Sequence, residues 1–446
     1  MPVLDALDAV RAVWRTSRLT REELDAYQNR HVRRLIAHAY KTVPYYRTLF
    51  DEQGLKPDDI QTVEDLRYVP ITSRSALQIV PISQIVAQGV KVSRLIERKT
   101  AGSSGKPLSV RRTWMEERVH GAFARRALRS YGLRPTDRHC SVMLPREVHP
   151  RDGQFIQRLA NFIGLARHHN VISCFQSPED IVQALERSQA AAMSGIPMAL
   201  ARIAHTMSPQ TLRSLDLRFV SSGGEVLTPL MRQQIEQGFG VPVYDTYASH
   251  EFYLMAWQCR ETTALHVCDD GMVLEVLQGD RPVKEGESGE VVGTDLHSFA
   301  MPLIRYRLGD EVIKGGSACD CGQPFSTLRA IQGRMIDYFH LPDGRVVHPQ
   351  ALWSGQTRKT PWIREYQMTQ ERADHIVLRV VPFYPPSGEE LGALQGPAVR
   401  FLGPLVNFTV ELVPEIPLQP NGKFRVFHSC LNSSYEPVVS DGSGTR

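Results

Sequence analysis

The chain has 446 residues, 42% of them hydrophobic, which is more than one hydrophobic core usually serves, so one large and one small domain are expected. Its 52 basic and 48 acidic side chains leave a formal charge of +4, too balanced for a nucleic-acid binder but compatible with small anionic ligands. No stretch approaches 18 consecutive apolar residues, Asp5 and Asp8 stand where a signal peptide would be basic and then apolar, and the seven cysteines lack the spacing of a disulfide framework; a cytoplasmic protein with no membrane span is expected.

Taken in chain order, LTREELDAYQNRHVRRLIAHAYKTVPYYRTLF (19–50) places Leu24, Tyr27, Val32, Leu35, Ile36 and Tyr40 at spacings of three and four, the pattern of an amphipathic helix. Thr20 followed by Glu23 predicts a capping-box start, and Val43-Pro44 predicts the stop. From about 90 to 330, apolar runs such as CSVML (140–144), AAAMSGIP (190–197), LRFVSSGG (217–224) and VPVYDTYA (241–248) alternate with helical stretches such as PLMRQQIEQGF (229–239), predicting a layered α/β domain. GMVLEVLQGDRPVKEGESGEVVGTDL (271–296) reads as strands joined by Gly-rich turns, a β subdomain. Beyond Arg334, two hairpins (337–349 and 365–382), a helix near 388–395 and a strand at 406–414 predict a small α+β domain. The expected boundaries are 1–333, 334–435 and a polar, disordered tail at 436–446.

The segment TAGSSGKPLSV (100–110) carries the strongest chemical signal. Thr100, Gly102, Ser103, Ser104 and Gly105 are small enough for backbone N–H groups and hydroxyls to close around a polyphosphate, and Lys106 adds a cation. Pro107 keeps Lys106 out of a helix, so this is no Walker A loop, and it must lie between strands. A hairpin turn with solvated hydroxyls is the structural alternative. The chain has nine lysines, none between Lys106 and Lys284, and two of the nine, Lys106 and Lys423, follow glycine. Lysine kept in two Gly-rich loops points to a compact ammonium that a guanidinium cannot replace.

TAGSSGKP resembles the phosphate loop of adenylate-forming enzymes. SSGGEVLTP (221–229), YDTYASHEF (244–252), RYRLGD (305–310), IQGRMID (331–337) and PNGKFR (420–425) resemble further motifs of that superfamily in the same order. YQNRHVRRLIAHAYKTVPYYRTLF and DLRYVPITSRSAL resemble the opening of its phenylacetate–CoA ligase and capsule-type (CapK-like) branch. The resemblance implies an α/β fold with a large N-terminal AMP-binding domain and a small mobile C-terminal lid. It also implies an AMP-forming acid–thiol ligase that activates a carboxylic acid, aromatic or heterocyclic, and passes it to CoA. An amine, a hydroxyl or a carrier protein as acceptor, or a degenerate nucleotide-binding protein, are the alternatives.

Residue by residue, the resemblance implies an adenine pocket at Gly223, Gly224 and Glu225, and a nucleotide site lined by Asp245, Tyr247, Ala248, Ser249 and His250. Tyr247 offers an aromatic face and Glu251 a hard carboxylate oxygen for Mg²⁺, against the alternative of a buried tyrosine and a surface glutamate. Asp310 would accept the ribose hydroxyls unless it is an ordinary turn aspartate. Arg334 would touch ribose or phosphate, Gly333 to Asp337 would form a hinge, and Lys423 would neutralise the α-phosphate. Three residues depart from the pattern: Ala101 for serine, Ala248 for glycine and His250 for threonine. The stretch 145–170 has no counterpart, and its His168 and His169 are either acid-pocket residues or solvated loop histidines.

Cys259, His266, Cys319 and Cys321 offer four ligands suited to tetrahedral Zn²⁺, with Cys268 a rival and buried unligated thiols the alternative. The expected partners are thus ATP, AMP, the acid, and CoA or another acceptor, with Mg²⁺ and a structural zinc; a homodimer is an open arrangement, and neither nucleic acid nor membrane is expected.

Overall fold

The helix Arg21–Thr42 starts on the capping box read from the sequence: Glu23 N donates to the Thr20 hydroxyl at 3.2 Å, and Thr20 N to the Glu23 carboxylate at 2.7 Å. It ends at Val43, whose extended backbone hands over to a second helix, Pro44–Glu52. Val32, Leu35, Ile36, Tyr46 and Phe50 bury their faces against Leu296, Phe299 and Ile304, which fastens this helical pair to the sheet described next.

The structure is a computed structural model that describes residues 13, 15–99, 108–143, 169–317, 319–334, 339–347, 349, 352, 360, 362–417 and 425–432. Two compact units divide them, one ending at Gln332 and the other beginning at Gly333. In the first, β1 (Ile96–Lys99) and β2 (Ser109–Arg112) form an antiparallel pair. Among the described residues, twelve further strands form one sheet. Its parallel part is built from β3 (His139–Met143), β4 (His169–Ser173), β5 (Ala192–Gly195), β6 (Val220–Gly223) and β7 (Val243–Ser249). Its remaining strands are β8 (Tyr253–Gln258), β9 (Leu265–Val267), β10 (Met272–Gln278), β11 (Arg281–Pro282), β12 (Ser288–Asp295), β13 (Tyr306–Lys314) and β14 (Thr327–Arg334). The order across the sheet is β11-β10-β12-β13-β14-β9-β8-β7-β6-β5-β3-β4. The strands of 271–296 therefore extend the parallel layer edge to edge, with β9 and β14 making the join.

The second unit holds the two predicted hairpins, β15 (Phe339–His340) with β16 (Val346–Val347), and β17 (Ile363–Arg372) with β18 (His375–Pro382). β19 (Asn407–Leu412) and β20 (Phe427–Ser429) complete a four-stranded sheet in the order β19-β18-β17-β20. The helix expected near 388–395 runs on to Leu402, through Pro397. Proline removes one ladder bond there, but Leu394, Ala398 and Leu402 bury one continuous face, and that burial outweighs the local break. Among the described residues no helix is long and apolar enough to cross a membrane.

Candidate active site

The turn after β6 lies at the carboxyl end of the parallel strands, where open α/β sheets leave a crevice for ligands. Its two glycines answer two different demands. A Cβ on Gly223 would stand 2.5 Å from the hydroxyl of Thr246 on β7, which donates to the Ser222 carbonyl at 2.7 Å. Gly224 has φ +88°, a conformation that side chains disfavour. The chain passes Glu225, and Thr228 then caps the helix Pro229–Phe239 by accepting from Met231 N at 3.2 Å.

Next along the sheet, β7 carries Asp245 and Tyr247. Asp245 keeps some exposed residue surface, but its carboxyl group is enclosed, and burial pushes its pKa up to about 7 against the opposing pull of Arg232 and the Thr246 N–H. Tyr247 is 6% exposed and packs with Leu108, Val110, Met301 and Leu303. Its hydroxyl donates to Oδ2 of Asp310 at 2.7 Å. Asp310 is no turn aspartate: it lies within β13, at a bulge. Glu290 pairs with Glu311 and Val292 with Arg307, so Leu308, Gly309 and Asp310 stand opposite the single Val291, with Gly309 at φ +84°. Bulges re-aim side chains beside binding sites.

β7 and β8 are joined by a turn in which the Ser249 hydroxyl accepts from Phe252 N at 3.0 Å. Ala248 and His250 are exposed, whereas Glu251 is buried, 4% exposed, which excludes the surface-glutamate reading. Among the described residues its carboxylate has one charged neighbour, Arg74 at 3.5 Å. A buried carboxylate with so distant a partner fits a cation-binding role.

Cys259 at the end of β8, His266 on β9, and Cys319 and Cys321 between β13 and β14 bring four ligand atoms within 4.8 Å of one another. Cys259 Sγ and Cys319 Sγ are 3.8 Å apart, and Cys321 Sγ lies 3.4 Å from His266 Nε2. A tetrahedral zinc with bonds of about 2.3 Å would hold its sulfurs about 3.8 Å apart, so the donor set fits. Burial, with a contribution from Arg126, lowers the His266 pKa to about 4, leaving the neutral imidazole that ligates metals. Glu261 N donates to Cys259 Sγ at 3.4 Å. The rival, Cys268, stands elsewhere: it is fully buried against Arg126 and Asp270.

No protein-family model matches the chain. It is similar to phenylacetate-coenzyme A ligase of Thermus thermophilus, 28% identical over 84% of this chain and 85% of that protein, and to protein CapK of Staphylococcus aureus, 21% identical over 90% and 88%. Among solved structures, 2-hydroxyisobutyryl-CoA ligase in the postadenylation state superposes with a TM-score of 0.76 at 21% identity, covering 92% of this chain and 90% of that one. These likenesses support the phenylacetate–CoA ligase and CapK branch of the adenylate-forming enzymes as the group this chain resembles, and the structural match shows the fold.

The site residues expected from the sequence fall in three groups. Gly223, Gly224, Glu225, Asp245, Tyr247, Ala248, Ser249, His250, Glu251 and Asp310 sit on β6, β7, β13 and the turns beside them. Arg334 ends β14, its side chain outside the description. Thr100, Gly102, Ser103, Ser104, Gly105 and Lys106, together with Asp337, Lys423, His168 and the 436–446 tail, lie outside the described residues. The strands flanking the glycine-rich segment do pair, Lys99 opposite Ser109, as its between-strand placement requires. His169 opens β4 rather than a loop.

One further constellation has no motif. Behind the 249–253 turn, Arg112 is 0% exposed, with Asp295 Oδ2 at 3.6 Å and Glu117 Oε1 at 4.0 Å. His120 Nε2 is 3.2 Å from Asp295 Oδ2, and Ser298 donates to the same oxygen at 2.6 Å. Burial opposes ionisation of Asp295, but His120, Arg112 and Ser298 outweigh it and hold the carboxyl well below the usual range. Only the crowding of charged residues in RRTWMEERVH (111–120) hints at it in the sequence.

Proposed function

We propose that the protein is an AMP-forming acid–CoA ligase. A carboxylate attacks the α-phosphorus of ATP, giving acyl-AMP and pyrophosphate; the thiol of CoA then attacks the acyl carbon, and AMP leaves. The observation that carries this reading is the linkage of the Gly223–Gly224 turn through Thr246 and Tyr247 on β7 to Asp310 on β13, with buried Glu251 at the same end of β7. Likeness to curated phenylacetate-CoA ligases over most of the chain supports the CoA step.

Attack of one anion on another needs positioning and charge neutralisation rather than a side-chain nucleophile. In this reading the Gly223–Glu225 backbone lies against adenine and Asp310, steadied by Tyr247, accepts the ribose hydroxyls. Glu251 holds Mg²⁺, which when bound neutralises phosphate charge. Thr100 to Lys106 cradle the polyphosphate, Lys423 supplies positive charge at the α-phosphate, and Arg334 touches ribose or phosphate. Gly333, at φ +110°, supports a hinge there and hence a mobile lid domain. The Cys259, His266, Cys319 and Cys321 cluster holds a structural zinc. The acid is aromatic or heterocyclic, and the compartment is the cytoplasm.

The test is acid-dependent pyrophosphate exchange over a panel of aromatic and heterocyclic acids, followed by AMP release with and without CoA. Absence of exchange with every acid sinks adenylation. AMP release indifferent to CoA reassigns the acceptor to an amine, a hydroxyl or a carrier protein.

A further inference from the structure

Glu251 is useful to a metal only if its turn is held still, and the residues that hold it are not those of the nucleotide site. Tyr253, at the end of that turn, has φ +62°, a left-handed conformation rare for a tyrosine, so the turn does not keep its shape by local preference alone. Two successive carbonyls in it face one guanidinium. Arg112 donates from Nη1 to the His250 carbonyl at 3.2 Å and from Nη2 to the Glu251 carbonyl, while its Nε donates to Ser298 Oγ at 3.0 Å. Tyr253 is held in turn: its ring stacks on His120 at 5.3 Å, and its hydroxyl donates to Glu117, which also accepts from Arg98 at 2.7 Å.

Arg112 is the last residue of β2, the strand that leaves the glycine-rich segment, and β2 is paired with β1 from Ile96 opposite Arg112 to Lys99 opposite Ser109. One side chain thus ties the strand following the glycine-rich segment to the main chain that carries the Glu251 carboxylate. A buried guanidinium is costly unless its charge is met, and Asp295 and Glu117 meet it without taking the N–H groups directed at the carbonyls. A planar fork spans two successive carbonyls; a lysine ammonium cannot.

We propose that Arg112 is a positioning residue for adenylation, fixing the spacing between the Glu251 carboxylate and the strand that exits the glycine-rich segment. This rests on the reading of Glu251 as the Mg²⁺-binding carboxylate.

The experiment titrates Mg²⁺ in pyrophosphate exchange at saturating ATP and acid, using the full chain, for the parent, Arg112→Lys and Glu251→Gln. Both variants are expected to need several-fold more Mg²⁺ for half-maximal exchange. Arg112→Lys should also lower kcat by about 10- to 100-fold, the usual cost of misplacing a reacting group, while AMP binding without Mg²⁺ stays within about twofold of the parent. A shift in Glu251→Gln alone overturns the Arg112 proposal and spares the Glu251 reading. No shift in either variant overturns both. Should Arg112→Lys fail to fold, Ser298→Ala decides: it removes the Nε acceptor, a smaller shift in the same direction is expected, and the parent's Mg²⁺ dependence would sink the proposal.

Discussion

The Tyr247 hydroxyl donates a 2.7 Å hydrogen bond to Oδ2 of Asp310, joining two strands that are separated in the sheet by β8, β9 and β14. A bond to a carboxylate is worth about 1.5–3 kcal/mol, and here it directs the group assigned to ribose. Tyr247→Phe should therefore raise the KM for ATP by about tenfold in pyrophosphate exchange and change kcat much less. An unaltered KM would detach Asp310 orientation from nucleotide binding.

Gly223→Ala forces a Cβ to within 2.5 Å of Thr246 Oγ1, displacing the hydroxyl from the Ser222 carbonyl. Overpacking of this kind costs about 1–3 kcal/mol, and both stability and ATP affinity should fall. Adding Thr246→Ala removes the nearest atom and should restore part of the melting temperature, although the Thr246 carbonyl at 3.2 Å still crowds the new methyl. A double variant no more stable than Gly223→Ala would mean that the clash lies elsewhere.

Asp245 should make stability depend on pH. Its folded pKa of about 7 exceeds the unfolded value near 3.9, so the folded state binds the proton more tightly between them. Stability thus falls as pH rises through that window, by at most about 4 kcal/mol, and the loss is complete above pH 7. Asp245→Asn keeps an oxygen for the Thr246 N–H and cannot ionise. Urea midpoints of the two proteins should diverge in favour of the variant from pH 5 to 8; parallel curves would refute the raised pKa.

The sulfur–imidazole cluster should copurify with about one zinc per chain. Cys319→Ser and Cys321→Ser should lose the metal and melt at lower temperature, as should the parent after chelation. Cys268→Ala should keep its zinc, because Cys268 faces Arg126 and Asp270. Equal zinc in Cys319→Ser and the parent would rule the cluster out.

Local chemistry was legible in advance and long-range pairing was not. Thr20 and Glu23 stand three residues apart, so the helix start could be read directly, and Gly223 and Gly224 announced a backbone-limited turn. The four zinc-type ligands were visible because two short pairs suffice to name them; Cys268 could be set aside only once the sheet placed it. The sequence left Glu251 open between an Mg²⁺ carboxylate and a surface glutamate because nothing near it in the chain buries it: its neighbours are Arg74 and Arg112, the latter 139 residues away. The helix expected near 388–395 runs on through Pro397 for the opposite reason, since a local rule yields to the buried face of Leu394, Ala398 and Leu402.

The bulge in β13 gives chain length a chemical meaning. Three residues stand opposite Val291, so removing Leu308 and Gly309 would leave an unbroken ladder at the cost of one partly buried leucine, and Asp310 would become one more rung. Such a deletion would regularise the sheet and move the carboxylate that the proposed function assigns to the nucleotide sugar. If that assignment holds, affinity depends on an irregularity that selection for stability alone would tend to iron out.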